Sequence, residues 1–77
     1  MEDRLAGMIR LLVHFADTED DGAVVLNESH IPPEVLVTGT RVILYEPEEV
    51  EMRCEAIVRR GKIWPWVADI VEGTFRS

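Results

Sequence analysis

Seventy-seven residues confine this chain to one domain, spanning 1–77, with room for a single core. Fifteen acids against eight bases give a formal net charge of −7, which argues against broad nucleic-acid affinity, because phosphate binding needs a positive field. One cysteine excludes a disulfide within the chain, and no run approaches the roughly twenty apolar residues of a membrane-spanning helix.

A core of this size supplies only about 3–5 kcal/mol of net stability, so a partner surface is a natural supplement. The start, Met1-Glu2-Asp3-Arg4, lacks the basic segment and apolar run of a signal peptide. With a single thiol, that predicts a complete, cytoplasmic small protein. Charge is uneven: residues 1–38 hold eight acids and two bases, and residues 39–77 hold seven acids and six bases. Basic character therefore concentrates late in the chain, around Arg53, Arg59, Arg60 and Lys62.

Residues 5–15 are mostly apolar, with Ile9, Leu11, Val13 and Phe15 on one parity and Arg10 and His14 on the other. That alternation predicts a first strand, although Leu5, Met8, Ile9 and Leu12 also suit a short helix. Asp17 to Gly22 is an acidic turn whose Asp21-Gly22 pair signals a hairpin, and Ala23 to Leu26 reads as the returning second strand. Ser29 to Thr40 is a connection. Pro32-Pro33 excludes regular helix or central strand there, and Pro33 to Leu36 predicts one helical turn within 33–37.

Arg41 to Glu46 is the third strand, and Pro47-Glu48-Glu49 turns the chain. The fourth strand is the strongest signal in the chain. Val50, Met52, Cys54, Ala56 and Val58 alternate with Glu51, Arg53, Glu55, Ile57 and Arg59, a period that only a strand sorts onto two faces. Arg60-Gly61 turns into a fifth strand, Lys62 to Val71, closed by Gly73, after which Thr74 to Ser77 reads as a short tail or a last edge strand. A two-residue turn at Arg60-Gly61 would set Trp64 against Ile57 and Trp66 against Glu55 on the polar face. A three-residue turn at Arg60-Gly61-Lys62, the chemically more coherent register, would set Trp64 against Val58 and Trp66 against Ala56 inside the core. Pro65 implies an edge or a bulge in either. Cys54, on that same face, reads as a small buried hydrophobe.

These elements predict an all-β fold: a small five-stranded antiparallel barrel, SH3-like, with an OB-like barrel as second choice. The run from Pro33 to Val42 resembles the barrel-entry turn of many small β modules, a likeness of architecture alone.

No catalytic triad, phosphate-cradling loop or metal-ligand spacing is present, so no enzyme activity, catalytic residue, metal or cofactor is expected. The segment Asp17 to Glu28 resembles an EF-hand calcium loop, with acids at loop positions one, three and five, glycine at six and glutamate at twelve. It departs from that pattern at Glu19, at Val25 and at Ile31-Pro32-Pro33, which forbids the exiting helix; an acidic hairpin turn accounts for the same residues. With the indoles inside, the outer face of strands three to five would carry Ile43, Tyr45, Ile57, Ile63, Pro65 and Val67 among Arg41, Arg53 and Arg59. Such a mix marks a docking surface. The expected contacts are Ile43, Tyr45, Arg53, Ile57, Arg59 and Val67, and the expected occupant is a protein partner or a second copy. Two other readings are a nucleic-acid module using the basic hairpin 53–62 and an acidic, antitoxin-like inhibitor that occupies a basic partner site.

Overall fold

The computed structural model describes residues 8–47 and 51–76. The expected turn at Glu48-Glu49 and the expected strand starts at Leu5 and Val50 lie outside the described residues. Five strands form one sheet curled into a half-barrel: β1 (Arg10–Leu12), β2 (Val24–Val25), β3 (Arg41–Pro47), β4 (Glu51–Arg60) and β5 (Trp66–Ile70). Two short 3₁₀ turns, Glu28–His30 and Pro33–Val35, carry the connection. The helical turn expected within 33–37 is the second of these, with Pro33 in its first position and Val35 buried. No helix among the described residues is long and apolar enough to cross a membrane.

The strand order is β1-β3-β4-β5-β2. Strands β3, β4 and β5 meander as expected from their alternation. The fully antiparallel barrel is corrected at β1, which runs parallel to β3, with Leu11 beside Leu44 and Leu12 beside Tyr45. It does not pair with β2, which lies at the opposite edge of the sheet, against β5. The Asp21-Gly22 turn does form, but it joins Asp17–Glu19 to Ala23–Val25: Glu19 N–H donates to Ala23 O, and Val25 N–H to Asp17 O, each at 2.9 Å. Gly22 has φ +88°, the left-handed conformation that this turn requires.

Glu46 explains why the first strand stops short of that hairpin. One of its carboxylate oxygens accepts from Phe15 N–H at 3.1 Å, and the other faces His14 Nδ1 at 3.2 Å. These contacts fold the chain back at Phe15-Ala16, so that Asp17 N–H bonds to His14 O. Phe75 then packs edge-on against Phe15 with ring centroids 5.2 Å apart, bringing the chain after β5 to the same end of the sheet.

The concave face is the core. Leu11, Val13, Val24, Val42, Leu44, Cys54, Ala56, Val58 and Ala68 lie on it, with Leu26, and Ile31 and Val35 from the connection cover them. The small residues on β4 and β5 face aliphatic side chains. The tryptophans do not fill this space, which corrects the expected register. The β4–β5 connection is five residues, 61–65, so Ala68 opposes Val58 and Trp66 opposes Arg60. Trp64 has left the strand and is 51% exposed. Trp66 is half-buried at the end of the core, with the Arg60 guanidinium 4.5 Å from its ring centroid. The parity of the expected register survives, so Asp69 still points outward, facing Ile57 rather than Arg53.

Candidate functional site

Opposed residues of paired strands share a face, so the register fixes the composition of the outer surface. One row across the sheet runs Leu12, Tyr45, Arg53 and Arg76, and the next runs Arg10, Ile43 and Glu55. Arg41 and Ile57 form a third. Of the expected contacts, Ile43, Tyr45 and Ile57 are half-buried neighbours on this face, and Arg53 is exposed. The Arg10 guanidinium lies 5.1 Å from the Tyr45 ring centroid, a cation–π arrangement. Arg41 is engaged with Glu55 at 2.7 Å.

Two expected contacts are placed otherwise. Val67 is 0% exposed, because the loop containing Gly61 closes over it, and it belongs to the interior rather than to a docking surface. Arg59 is held within the molecule. Its guanidinium forks onto both carboxylate oxygens of Asp69 and also donates to Asp21 Oδ2 at 2.7 Å. Those hydrogen bonds, from Asp69 first and Asp21 second, push its pKa further up. They leave it unavailable to an incoming anion.

The same end of the sheet holds the most unusual polar contact of the chain. Glu19, only 6% exposed, places its carboxylate against three consecutive backbone donors of the β4–β5 loop. Lys62 N–H donates to one oxygen at 3.0 Å, and Ile63 and Trp64 N–H donate to the other at 2.8 Å each. Successive N–H groups curled around an anion form a compact positive nest. They hold the Glu19 pKa below the usual carboxylate range, with Trp64 N–H the largest contributor. Gly61 makes the close approach possible: a Cβ there would overlap the Trp64 carbonyl oxygen and come within 2.6 Å of Glu19. The latch presents Ile63, 73% exposed, beside Trp64 and Pro65 at the tip of the loop.

This geometry bears on the calcium resemblance. Glu19, at loop position three, turns into the nest, and Asp21, at position five, accepts from Ala23 N–H and Arg59. Both carboxylates are thus engaged away from a shared ligand point. Their pKa values are lowered by backbone hydrogen bonds first, and in Asp21 by Arg59 second. His14 and His30 line one groove, but no group of three or more His, Cys, Asp or Glu suited to a metal ion occurs among the described residues. Burial pushes the Cys54 thiol up to about 11, which suits the packing role expected of it.

Two grooves remain. The larger, of about 1140 Å³, follows the open seam of the half-barrel between the end of β1 and the segment after β2, with Leu12, Trp64 and Pro65 among its walls. The smaller, of about 500 Å³, is a trough on the outer face, with Met8 and Ile43 among its apolar lining and Arg10, Arg53 and Arg76 along it. Arg53 and Ile43 were legible in the sequence as parts of this face. Arg10 was not, because it arrives through the parallel β1–β3 contact, and Arg76 comes from the segment expected as a short tail or last edge strand, whose bridge to Arg53 had no local signature. Comparisons with protein-family models, with curated proteins and with solved structures found no match for the chain.

Proposed function

We propose that the chain is a non-enzymatic, SH3-like protein-interaction module that docks a protein partner, or a second copy of itself, on the outer face of β3 and β4. One observation carries this reading. Ile43, Tyr45 and Ile57 are half-buried along one diagonal of the outer face, with Arg53 opposite Tyr45 and Arg41 opposite Ile57. Apolar and aromatic side chains next to arginine are the composition of binding hot spots. The SH3-like reading draws support from the β3–β4–β5 meander that follows a 3₁₀ turn, and the parallel β1–β3 pair is its point of departure. The single thiol supports a reducing, cytoplasmic setting.

The test is the double variant Tyr45→Ala with Ile57→Asp, compared with wild type by light scattering and by retention of a bound partner. Loss of the assembly with an unchanged circular dichroism spectrum is the expected result. Unfolding of the variant would assign both side chains to the core and end the docking reading.

The exposure of Trp64 beside Arg60 and Lys62 favours a second reading, in which an indole stacks on a base of single-stranded nucleic acid. Salt-sensitive quenching of tryptophan emission by RNA is its signature, and absence of quenching at low salt removes it. The acidic-inhibitor reading draws little support, since Glu19, Asp21 and Asp69 spend their carboxylates on the chain itself.

A further inference from the structure

The outer trough gathers positive charge in a chain whose net charge is −7. Arg53 and Arg76 exchange both backbone hydrogen bonds, at 2.9 and 2.7 Å, so they are directly opposed and their side chains leave on one face. Like charges in that position repel. Arg76 turns its guanidinium back onto the Gly73 and Phe75 carbonyls, and Arg10 lies over Tyr45. The ion pairs among the described residues engage His14, Arg41 and Arg59, and none of these three arginines. Glu55, the acid that lines the trough, is engaged with Arg41.

We infer that this trough recognises an acidic protein segment: an apolar side chain seated on Ile43, with flanking carboxylates received by Arg53 and Arg76 on one side and Arg10 on the other. The inference rests on the docking reading above and gives that face its partner chemistry. Charge decides between occupants. A symmetric pair of copies meeting at this trough would set each arginine cluster against its own duplicate, because a twofold interface is self-complementary in position. Carboxylates instead neutralise the Arg53–Arg76 repulsion, and the Arg53 guanidinium offers a planar fork that matches them. A nucleic acid is longer than the trough and would continue over a chain of net charge −7.

The experiment uses the full chain and three fluorescein-labelled probes read by anisotropy: a short peptide of glutamates around a central leucine, its glutamine counterpart, and a single-stranded oligonucleotide. The glutamate peptide is expected to bind at least about tenfold more tightly than the glutamine one, with the difference shrinking as salt rises. Arg53→Gln with Arg76→Gln removes that difference and leaves the circular dichroism spectrum unchanged, whereas Arg60→Gln with Lys62→Gln leaves it intact. Equal affinity for the two peptides, no binding of the glutamate peptide at millimolar concentration, or tighter oligonucleotide binding through the same arginines would each overturn the acidic-partner inference. The Tyr45→Ala, Ile57→Asp variant separates the two levels. Equal peptide affinities that this variant abolishes leave the docking face standing without its preference for acid. A glutamate preference that the variant leaves untouched overturns the docking face itself.

Discussion

Two arginines on the outer face of β4 meet opposite surroundings. Arg59 lies at the end next to the β4–β5 loop, where Asp69 and Asp21 converge on it and Glu19 latches the loop alongside. Arg53, further back along the strand, opposes Arg76, with no ion-pair partner among the described residues. At the first end, charge is consumed in joining segments distant in sequence. At the second, Arg53 is left exposed while Arg76 folds onto the Gly73 and Phe75 carbonyls. A fold with so small a core gains from the first arrangement, whereas the Arg53–Arg76 pair, with no ion-pair partner among the described residues, fits the acidic occupant inferred above.

The comparison breaks most visibly if the latch is not structural. Glu19→Ala removes the carboxylate acceptor that three consecutive backbone donors of the loop share, and with it the contact tying that loop to the acidic turn. The thermal midpoint should fall by on the order of 10 °C, the largest drop among these variants. Glu19→Gln should fall between that variant and wild type. Its amide oxygen can still serve Ile63 and Trp64, while its amide nitrogen meets the Lys62 donor. A midpoint unchanged in both variants would show that the nest is not closed in solution. Gly61→Ala attacks the same loop from the other side, since the added methyl overlaps the Trp64 carbonyl and crowds Val67. It should cost about 1–2 kcal/mol in urea unfolding, in the range of a small overpacking change.

Acid sharpens the contrast without any substitution. The Glu19 and Asp21 carboxyls are both held below their ordinary values by backbone N–H donors, and Glu46 likewise by Phe15 N–H first and His14 second. A depressed pKa contributes stability that is fully present above the unfolded-state value, about 4, and is lost as pH falls through the folded-state value. Stability should therefore hold through neutral pH and decline below about pH 4. The amide protons of Lys62, Ile63 and Trp64 should titrate together with the Glu19 carboxyl carbon in NMR spectra. In Glu19→Gln that common titration disappears. Three amides that move at different pH values would argue against one shared carboxylate.

Which parts of this arrangement the sequence disclosed follows from the range of each interaction. The β3–β4–β5 meander was legible because alternation acts locally, and parity alone put Ile43, Tyr45, Arg53 and Ile57 on one face. The latch joins residues more than forty positions apart, such as Glu19 and Ile63, and nothing near either one announces the other. Trp64 and Pro65 read as strand because they continue an apolar run, yet the latch bends them into a five-residue loop and shifts the register of β5. Alternation also says nothing of direction. A strand with Leu11 and Val13 inward can pair parallel or antiparallel, and here the Glu46 contacts that end β1 leave it running parallel to β3.

The smallest expected effect is the one that separates the two arginines most cleanly. Arg53→Gln removes half of a like-charge pair at an exposed site, so folding stability should change by no more than about 0.5 kcal/mol and in the stabilising direction. Arg59→Gln removes a fork shared by two carboxylates, strands Asp21 and Asp69 beside each other, and should destabilise measurably. Both variants carry the same change in charge, so the overall field is altered equally and only local surroundings differ. Parallel urea titrations at low salt, where surface charge acts most strongly, are the measurement. If Arg53→Gln lost as much stability as Arg59→Gln, Arg53 would be holding the fold together, and the Arg53–Arg76 pair would need no partner to explain it.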